Sequence, residues 1–149
     1  METFDAPREG TDEIDFAAAK PGILVVIAGI AQIVAGATMF AQGVQLLTMF
    51  IFYNWLWILP YLLIPLGLLQ MALGATASLG RDWATIGALI VTWLVQLIAL
   101  AFAVWTILQG GILVLAYVWV FLNGIAALVA PMAVPGALRA SAARRKLYQ

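Results

Sequence analysis

Four long apolar runs, none containing Asp, Glu, Lys or Arg, dominate the pattern of the chain. A bilayer core requires about 20 apolar residues in a helix. Each run is apolar around its whole circumference, which favours lipid over the interior of a soluble protein. The pattern predicts an all-α membrane protein, a bundle of four transmembrane helices arranged as two hairpins. The predicted helices cover about residues 22–50, 55–79, 84–108 and 112–134.

Polar segments flank this predicted transmembrane domain, which spans residues 21–136. Residues 1–20 form an N-terminal arm, and residues 137–149 form a basic tail. Thr11 followed by two acids is typical of a helix start, so a short interfacial helix over about 12–19 is one interpretation of the arm. A disordered arm is the alternative.

The basic residues indicate the orientation. With the N-terminus inside, all seven Lys and Arg residues face the cytoplasm, while the outer links carry no charge. This distribution follows the positive-inside rule and predicts a multi-pass inner-membrane protein with both termini in the cytoplasm. The basic side chains next to the membrane should also contact anionic lipid. They are Arg81, Arg139, Arg144, Arg145 and Lys146.

Aromatic residues agree with this orientation. Tryptophan is enriched where helices meet the membrane surface. Trp55, Trp57 and Trp119 lie near predicted outer ends, and Trp83 marks the inner surface. We therefore expect these four residues to anchor the helices at the two interfaces.

Composition narrows the chemistry. Hydrophobic residues make up 65% and charged residues 9% of the chain, and Cys and His are absent. Typical soluble domains hold about 45–50% apolar and about 25% charged residues. Thiol redox centres, Cys/His zinc sites and a Ser–His–Asp triad have no residues to form them. No ionisable group lies within a predicted span, which argues against a proton-coupled transporter. We expect a non-enzymatic protein without cofactor, metal or catalytic residues.

Small and weakly polar residues form stripes along the predicted helices. Four glycines of the first helix are spaced seven apart, which places them on one face. Small residues let backbones approach closely, and amides or hydroxyls bond across helices for about 0.6–2 kcal/mol each. The predicted packing and polar seam consists of Gly22, Gly29, Gln32, Gly36, Gly43, Gly67, Gln70, Gly74, Thr92, Gln96, Thr106 and Asn123.

A polar pathway is the alternative interpretation of the amides. Gln42, Gln45 and Gln109 would then line a route toward the outer leaflet, together with Gln32, Gln96 and Thr106. Gln32 and Gln96 also differ by 64 positions, as do several other pairs. This offset indicates either a tandem duplication of one hairpin or coincidence in a biased composition.

The segment 66–91 contains the turn Gly80-Arg81-Asp82-Trp83-Ala84, in which we expect Arg81 and Asp82 to form a salt bridge. The segment resembles a family of uncharacterised small bacterial membrane proteins, in which a Gly-Arg-x-Trp-Ala turn joins two of four helices. The resemblance implies the same topology and a bacterial origin, and it implies no activity.

Two functional hypotheses remain. The first is an accessory, assembly or scaffold subunit of a membrane complex, acting through helix packing and lipid contact. The alternative is a small oligomeric channel or carrier for a neutral or lipophilic solute. The expected partners are membrane lipids and either other membrane subunits or further copies of the chain, and no nucleic acid is expected.

Overall fold

The computed structural model describes residues 19–49, 58–108 and 114–147. These residues form four α-helices and confirm the predicted all-α fold. Each helix is long and apolar enough to span a membrane, so the chain is a multi-pass membrane protein. Residues 12–18, where a helix of the arm was predicted, lie outside the described part. The helices are α1 (Ile23–Met49), α2 (Ile58–Ser78), α3 (Asp82–Leu108) and α4 (Val114–Leu147).

The α2–α3 turn is built around a left-handed glycine. Gly80 has a φ of 73°, which glycine adopts at little steric cost. Its N–H donates to the Ala77 carbonyl over 2.7 Å, satisfying one of the last carbonyls of α2. Asp82 then begins α3, and its Oδ1 accepts a hydrogen bond of 2.9 Å from the Trp83 backbone N–H. The turn therefore reverses the chain within three residues.

Helix α4 differs from its prediction. The expected end near residue 134 was wrong, because the helix continues through Pro131 and Pro135 to Leu147. Each proline removes one backbone donor, but neighbouring helices let transmembrane segments tolerate this loss. Here Ala133 and Ala137 pack into a core cluster with Val25 of α1. The basic segment predicted as a tail is thus mostly helical.

The helices form a four-sided bundle in chain order. Helix α1 packs on α2 and α4, α3 packs on α4 and α2, and α1 and α3 lie across the bundle from each other. Two hairpins therefore stand side by side. The first hairpin is α1–α2 and the second is α3–α4.

Glycines bring the two helices of the first hairpin into backbone contact. A Cβ added at Gly36 would lie 2.7 Å from the Gly67 carbonyl oxygen, and one at Gly67 would lie 2.7 Å from the Gly36 oxygen. Gly29 and Gly74 show the same reciprocal distance of 2.7 Å. Such close approach is the usual role of small residues between membrane helices.

The other two glycines predicted for the seam of the first helix, Gly43 and Gly22, have different surroundings. A Cβ at Gly43 would lie 2.8 Å from the Ile64 side chain, so this residue continues the contact with α2. A Cβ added at Gly22 would meet no described atom within 4 Å, and the residue is exposed, so its predicted place in the seam was wrong. The reason is that Gly22 precedes the first residue of α1, beyond the level at which α2 has ended at Ser78.

Candidate functional site

Amide and hydroxyl side chains from all four helices meet at the centre of the bundle. Gln32, Gln70, Thr92 and Asn123 come from α1, α2, α3 and α4, and each exposes 1% of its surface or less. With Gln96 of α3 they form what we call the amide cluster. Gln70 lies eight residues before the end of α2, about 12 Å along the helix, which is near the middle of a 30 Å bilayer core.

Gln70 is the hub of the amide cluster. Its Nε2 donates to the Asn123 Oδ1 over 2.8 Å and to the Gln32 Oε1 over 3.0 Å. The Thr92 Oγ1 lies 3.5 Å from the same nitrogen. One amide of α2 thereby binds α1 and α4 at once, which ties the two hairpins together.

Asn123 passes the hydrogen bonding on to α3. Its Nδ2 donates to the Thr92 backbone carbonyl over 3.1 Å and to the Gln96 Oε1 over 2.9 Å. The Thr92 hydroxyl contacts both the Gln32 Oε1 and, over 2.6 Å, the Ala88 carbonyl of its own helix. The hydrogen bonds thus have one direction: Gln70 donates to Asn123, and Asn123 donates to Gln96.

Two amide donors of the cluster have no acceptor among the described residues. The Gln32 Nε2 is buried without a partner, and a cavity of about 10 Å³ lies beside it. That volume suffices for one water molecule. The Gln96 Nε2 is the second such donor, because within the described part of the chain the bonded atom of this amide is its Oε1. The Gln70 Oε1 is a buried acceptor to which no described residue donates.

The Gln96 side chain opens into a groove between α3 and α4. The groove measures about 470 Å³ and its lining is almost entirely apolar. Gly124 forms part of its floor, and a Cβ there would lie 3.6 Å from the Gln96 Nε2. The groove is lined by Trp93, Gln96, Leu100, Val120, Phe121, Gly124, Ile125, Ala127 and Leu128.

Of the predicted polar pathway, Gln32 and Gln96 belong to the amide cluster, whereas Gln42 and Gln45 make no hydrogen bond to it. Gln42 is completely buried and both atoms of its amide have no partner among the described residues. The Gln45 Oε1 is likewise buried without a partner. Neither the groove nor the small cavity is lined by Gln42 or Gln45. Gln109 lies outside the described residues.

Thr106, which was predicted to take part in the polar seam, bonds within its own helix. The residue is buried, and its hydroxyl donates to the Ala103 carbonyl over 2.7 Å. Hydroxyl bonding to a preceding turn is a common way for a membrane helix to satisfy this group. Thr106 therefore fills a buried position but makes no hydrogen bond to another helix within residues 19–49, 58–108 and 114–147.

At the C-terminal end of α4, Arg144 binds the α2–α3 turn. Its guanidinium donates to the Leu79 carbonyl over 3.0 Å and also to the Gly80 carbonyl. Arg145 pairs with Asp82 over 3.2 Å, and the Ser141 hydroxyl donates to the same carboxylate over 2.9 Å. We call this set of contacts the basic clamp. It satisfies carbonyls at the C-terminal end of α2, where a cation is favourable.

The clamp corrects one prediction and adds one contact. Asp82 pairs with Arg145 and not with its neighbour Arg81, which is exposed. Arg144 is half-buried and binds protein carbonyls, a contact that the sequence did not predict. Contact with anionic lipid stays a prediction for Arg144 and for the exposed Arg81, Arg139, Arg145 and Lys146.

The predicted tryptophan anchors have different surroundings. Trp83 is 61% exposed at the start of α3. Trp119 is fully buried beside Phe102, with 6.4 Å between ring centroids, so its prediction as a surface anchor was wrong. Its indole Nε1 has no partner among the described residues. Trp55 and Trp57 lie outside the described residues.

Sequence reasoning missed the position of Trp119 and the role of Arg144, although the first carried a signal. Trp119 precedes Asn123 by four residues, which places both on one face of a helix. Since Asn123 was predicted to face the bundle, Trp119 should have been placed there too. Arg144 gave no such signal, because its partners are backbone carbonyls far away in the sequence.

The amide cluster can hold and orient groups, but it has no titratable proton to exchange near neutral pH. Among residues 19–49, 58–108 and 114–147, no three acidic side chains lie close enough to hold a metal ion. No known family model, curated protein or solved structure matches this chain. The amide cluster, the groove and the clamp are therefore the features on which a functional proposal depends.

Proposed function

We propose that the protein is a non-enzymatic accessory or assembly subunit of a bacterial inner-membrane complex. It would hold larger partners through helix packing and contact with lipid. The main supporting observation is that the buried polar side chains bond to one another. Gln32, Gln70 and Asn123 are buried and bonded mainly to one another, which makes the bundle a preformed unit.

The lipid-facing surface of α3 offers a surface for such partners. Leu97 is 62% exposed and Leu100 is 45% exposed, and the same side carries the groove. In a bilayer, helices associate through close packing and a few polar contacts, since lipid itself satisfies apolar side chains. Leu97 lies outside the lining of the groove, so it offers packing surface whether or not the groove is occupied.

Single cysteines test the proposal, because the chain contains none of its own. We would place one at Leu97 on α3 and, as a matched control, one at Leu69, which is 45% exposed on α2. A cysteine-reactive photocrosslinker in native membranes should give one discrete product from Leu97→Cys, identified by mass spectrometry, and a smear or nothing from Leu69→Cys. Purification of an uncrosslinked lone monomer from both variants would contradict the subunit role.

The proposed orientation has its own test. We place both termini in the cytoplasm, where Arg144 and Arg145 would form the clamp. A cysteine replacing Gln149 should react with a membrane-impermeant maleimide only after the inner membrane is opened. Labelling of intact spheroplasts would place the tail in the periplasm and overturn this orientation.

A small oligomeric channel or carrier for a neutral or lipophilic solute is a second proposal, favoured by Gln42 and Gln45. A buried amide that no described residue binds costs free energy, and water or an oxygen or nitrogen atom of such a solute would satisfy it. Replacing Gln42, Gln45 and Gln96 by Leu should then abolish solute flux into liposomes while the fold persists. Unchanged flux, or no flux with the unmodified protein, would reject this function.

A further inference from the structure

The groove between α3 and α4 combines apolar walls with one polar donor. Trp93 and Leu100 of α3 and Phe121 of α4 line it, and each is at least 45% exposed. The donor is the Gln96 Nε2, which has no acceptor among the described residues. A polar group facing hydrocarbon without a partner is costly, so the groove favours an occupant that supplies an acceptor.

The amide cluster fixes the polarity of this donor. The Gln96 Oε1 accepts from Asn123, and Asn123 in turn accepts from Gln70. If the Gln96 amide were flipped, its Nε2 would face the Asn123 Nδ2, and two donors would oppose each other. Consecutive hydrogen bonds also polarise one another, which strengthens the donor at the end of the series. The complementary group is an oxygen acceptor.

Depth restricts the source of that oxygen. Gln96 lies 14 residues beyond Asp82 and 12 before Leu108, or about 21 Å and about 18 Å along α3. This is near the middle of the bilayer, whereas the ester carbonyls of phospholipids lie with the headgroups at the edges of the core. The oxygen must come from a molecule that itself dissolves in hydrocarbon.

Dimensions restrict the occupant further. The lining of α4 runs from Val120 to Leu128, about 12 Å, which is short beside a membrane-spanning helix of about 30 Å. A volume of about 470 Å³ is that of a small-ligand site. A second copy would set this concave surface against itself and leave the groove unfilled.

We propose that this groove binds a lipophilic carbonyl compound of the isoprenoid-quinone class. A ring carbonyl would accept a hydrogen bond from the Gln96 Nε2, the ring would lie against Trp93 and Phe121, and the isoprenoid chain would extend into lipid. This inference goes beyond the accessory role and does not depend on it, because a ligand can occupy the groove with or without a protein partner.

The test uses the full chain in phosphatidylcholine nanodiscs, with decylubiquinone as the probe. Binding is followed by saturable quenching of tryptophan fluorescence, and the probe carbonyl stretch is followed by infrared difference spectroscopy. The unmodified protein should show saturable quenching and a carbonyl band shifted to lower frequency. Gln96→Leu should lose the shifted band and bind about tenfold more weakly.

A second variant keeps the proposal testable if Gln96→Leu fails to fold. Gly124→Leu fills the groove, where an added Cβ meets only the Gln96 Nε2 at 3.6 Å, and leucine is the better helix former. This variant should fold and lose saturable binding, whereas Ala75→Leu, on the exposed surface of α2, should bind as the unmodified protein does.

Three results would overturn the proposal. One is equal saturable quenching in Gly124→Leu and the unmodified protein, and another is quenching that rises linearly without saturation. The third is a Leu97→Cys disulfide dimer whose formation the probe does not affect, because it would show that a second copy covers this surface and that the probe does not compete for it. Absence of a protein partner for the chain would leave this inference standing.

Discussion

The two hairpins are joined by different means. In the first, Gly36 and Gly67 bring α1 and α2 together until backbone meets backbone. In the second, Asn123 and Gln96 bridge α4 and α3 through side chains, and a groove opens beside them. The difference teaches that glycines bring helices close together, whereas amides specify register and leave room for a further molecule.

The 64-residue offset sharpens this comparison. Gly29 and Gly36 of α1 correspond by that offset to Trp93 and Leu100 of α3. The glycines face α2, whereas Trp93 and Leu100 are nearly half exposed and line the groove. At positions related by this offset, the second hairpin exposes side chains to lipid, whereas the first hairpin packs α1 against α2.

The largest expected effect comes from adding a side chain at the contact between α1 and α2 in the first hairpin. Gly36→Leu places a side chain against the Gly67 carbonyl and the Met71 backbone, which cannot move aside cheaply. We expect a loss of about 3 kcal/mol in the free energy of unfolding, measured by circular dichroism in mixed micelles. Gly124→Ala, in the open second hairpin, is the control and should gain up to about 1 kcal/mol. Equal losses at both glycines would show that the hairpins are packed alike.

Removing the hub of the amide cluster comes next. Gln70→Leu leaves the Asn123 Oδ1 without its donor and removes a bond to Gln32, and so should cost about 2 kcal/mol of unfolding free energy. Cysteine pairs spanning the two hairpins should also crosslink less selectively, since register is lost. Unchanged stability would mean that glycine packing alone holds the bundle.

Gln42 should respond in the opposite direction. Its buried amide has no partner among the described residues, so Gln42→Leu removes a desolvated polar group without breaking a bond. We expect a gain of about 1 kcal/mol in the same unfolding assay. A loss of stability would show that Gln42 is hydrogen-bonded in the membrane, by water or by another molecule.

The smallest of these effects concerns the basic clamp, which joins α4 to the α2–α3 turn. Arg144→Ala removes two hydrogen bonds to the α2–α3 turn and should cost about 1 kcal/mol. Arg145→Ala breaks an ion pair whose arginine is 76% exposed, and serves as the matched control with no more than about 0.5 kcal/mol lost. A larger loss at Arg145 than at Arg144 would show that the ion pair, and not the hydrogen bonds of Arg144, supplies most of the stability of the clamp.

The four membrane-spanning helices were predictable from the sequence, because a long apolar segment in hydrocarbon has few stable structures other than a helix. The heptad glycines from Gly29 onward were also readable, since a seven-residue step returns to one face. The partners of Arg144 and the burial of Trp119 were not predicted. Both depend on the rotation and length of α4, and two prolines made that helix look shorter than it is.

The length of α4 has a mechanical consequence. Asn123 and Arg144 lie 21 residues apart on one continuous helix, about 32 Å. Asn123 binds Gln70 of the first hairpin, and Arg144 binds the α2–α3 turn. Moving α4 by one turn along its axis would break both contacts. The two distant contacts therefore fix the axial position of α4, which couples the middle of the bundle to its end.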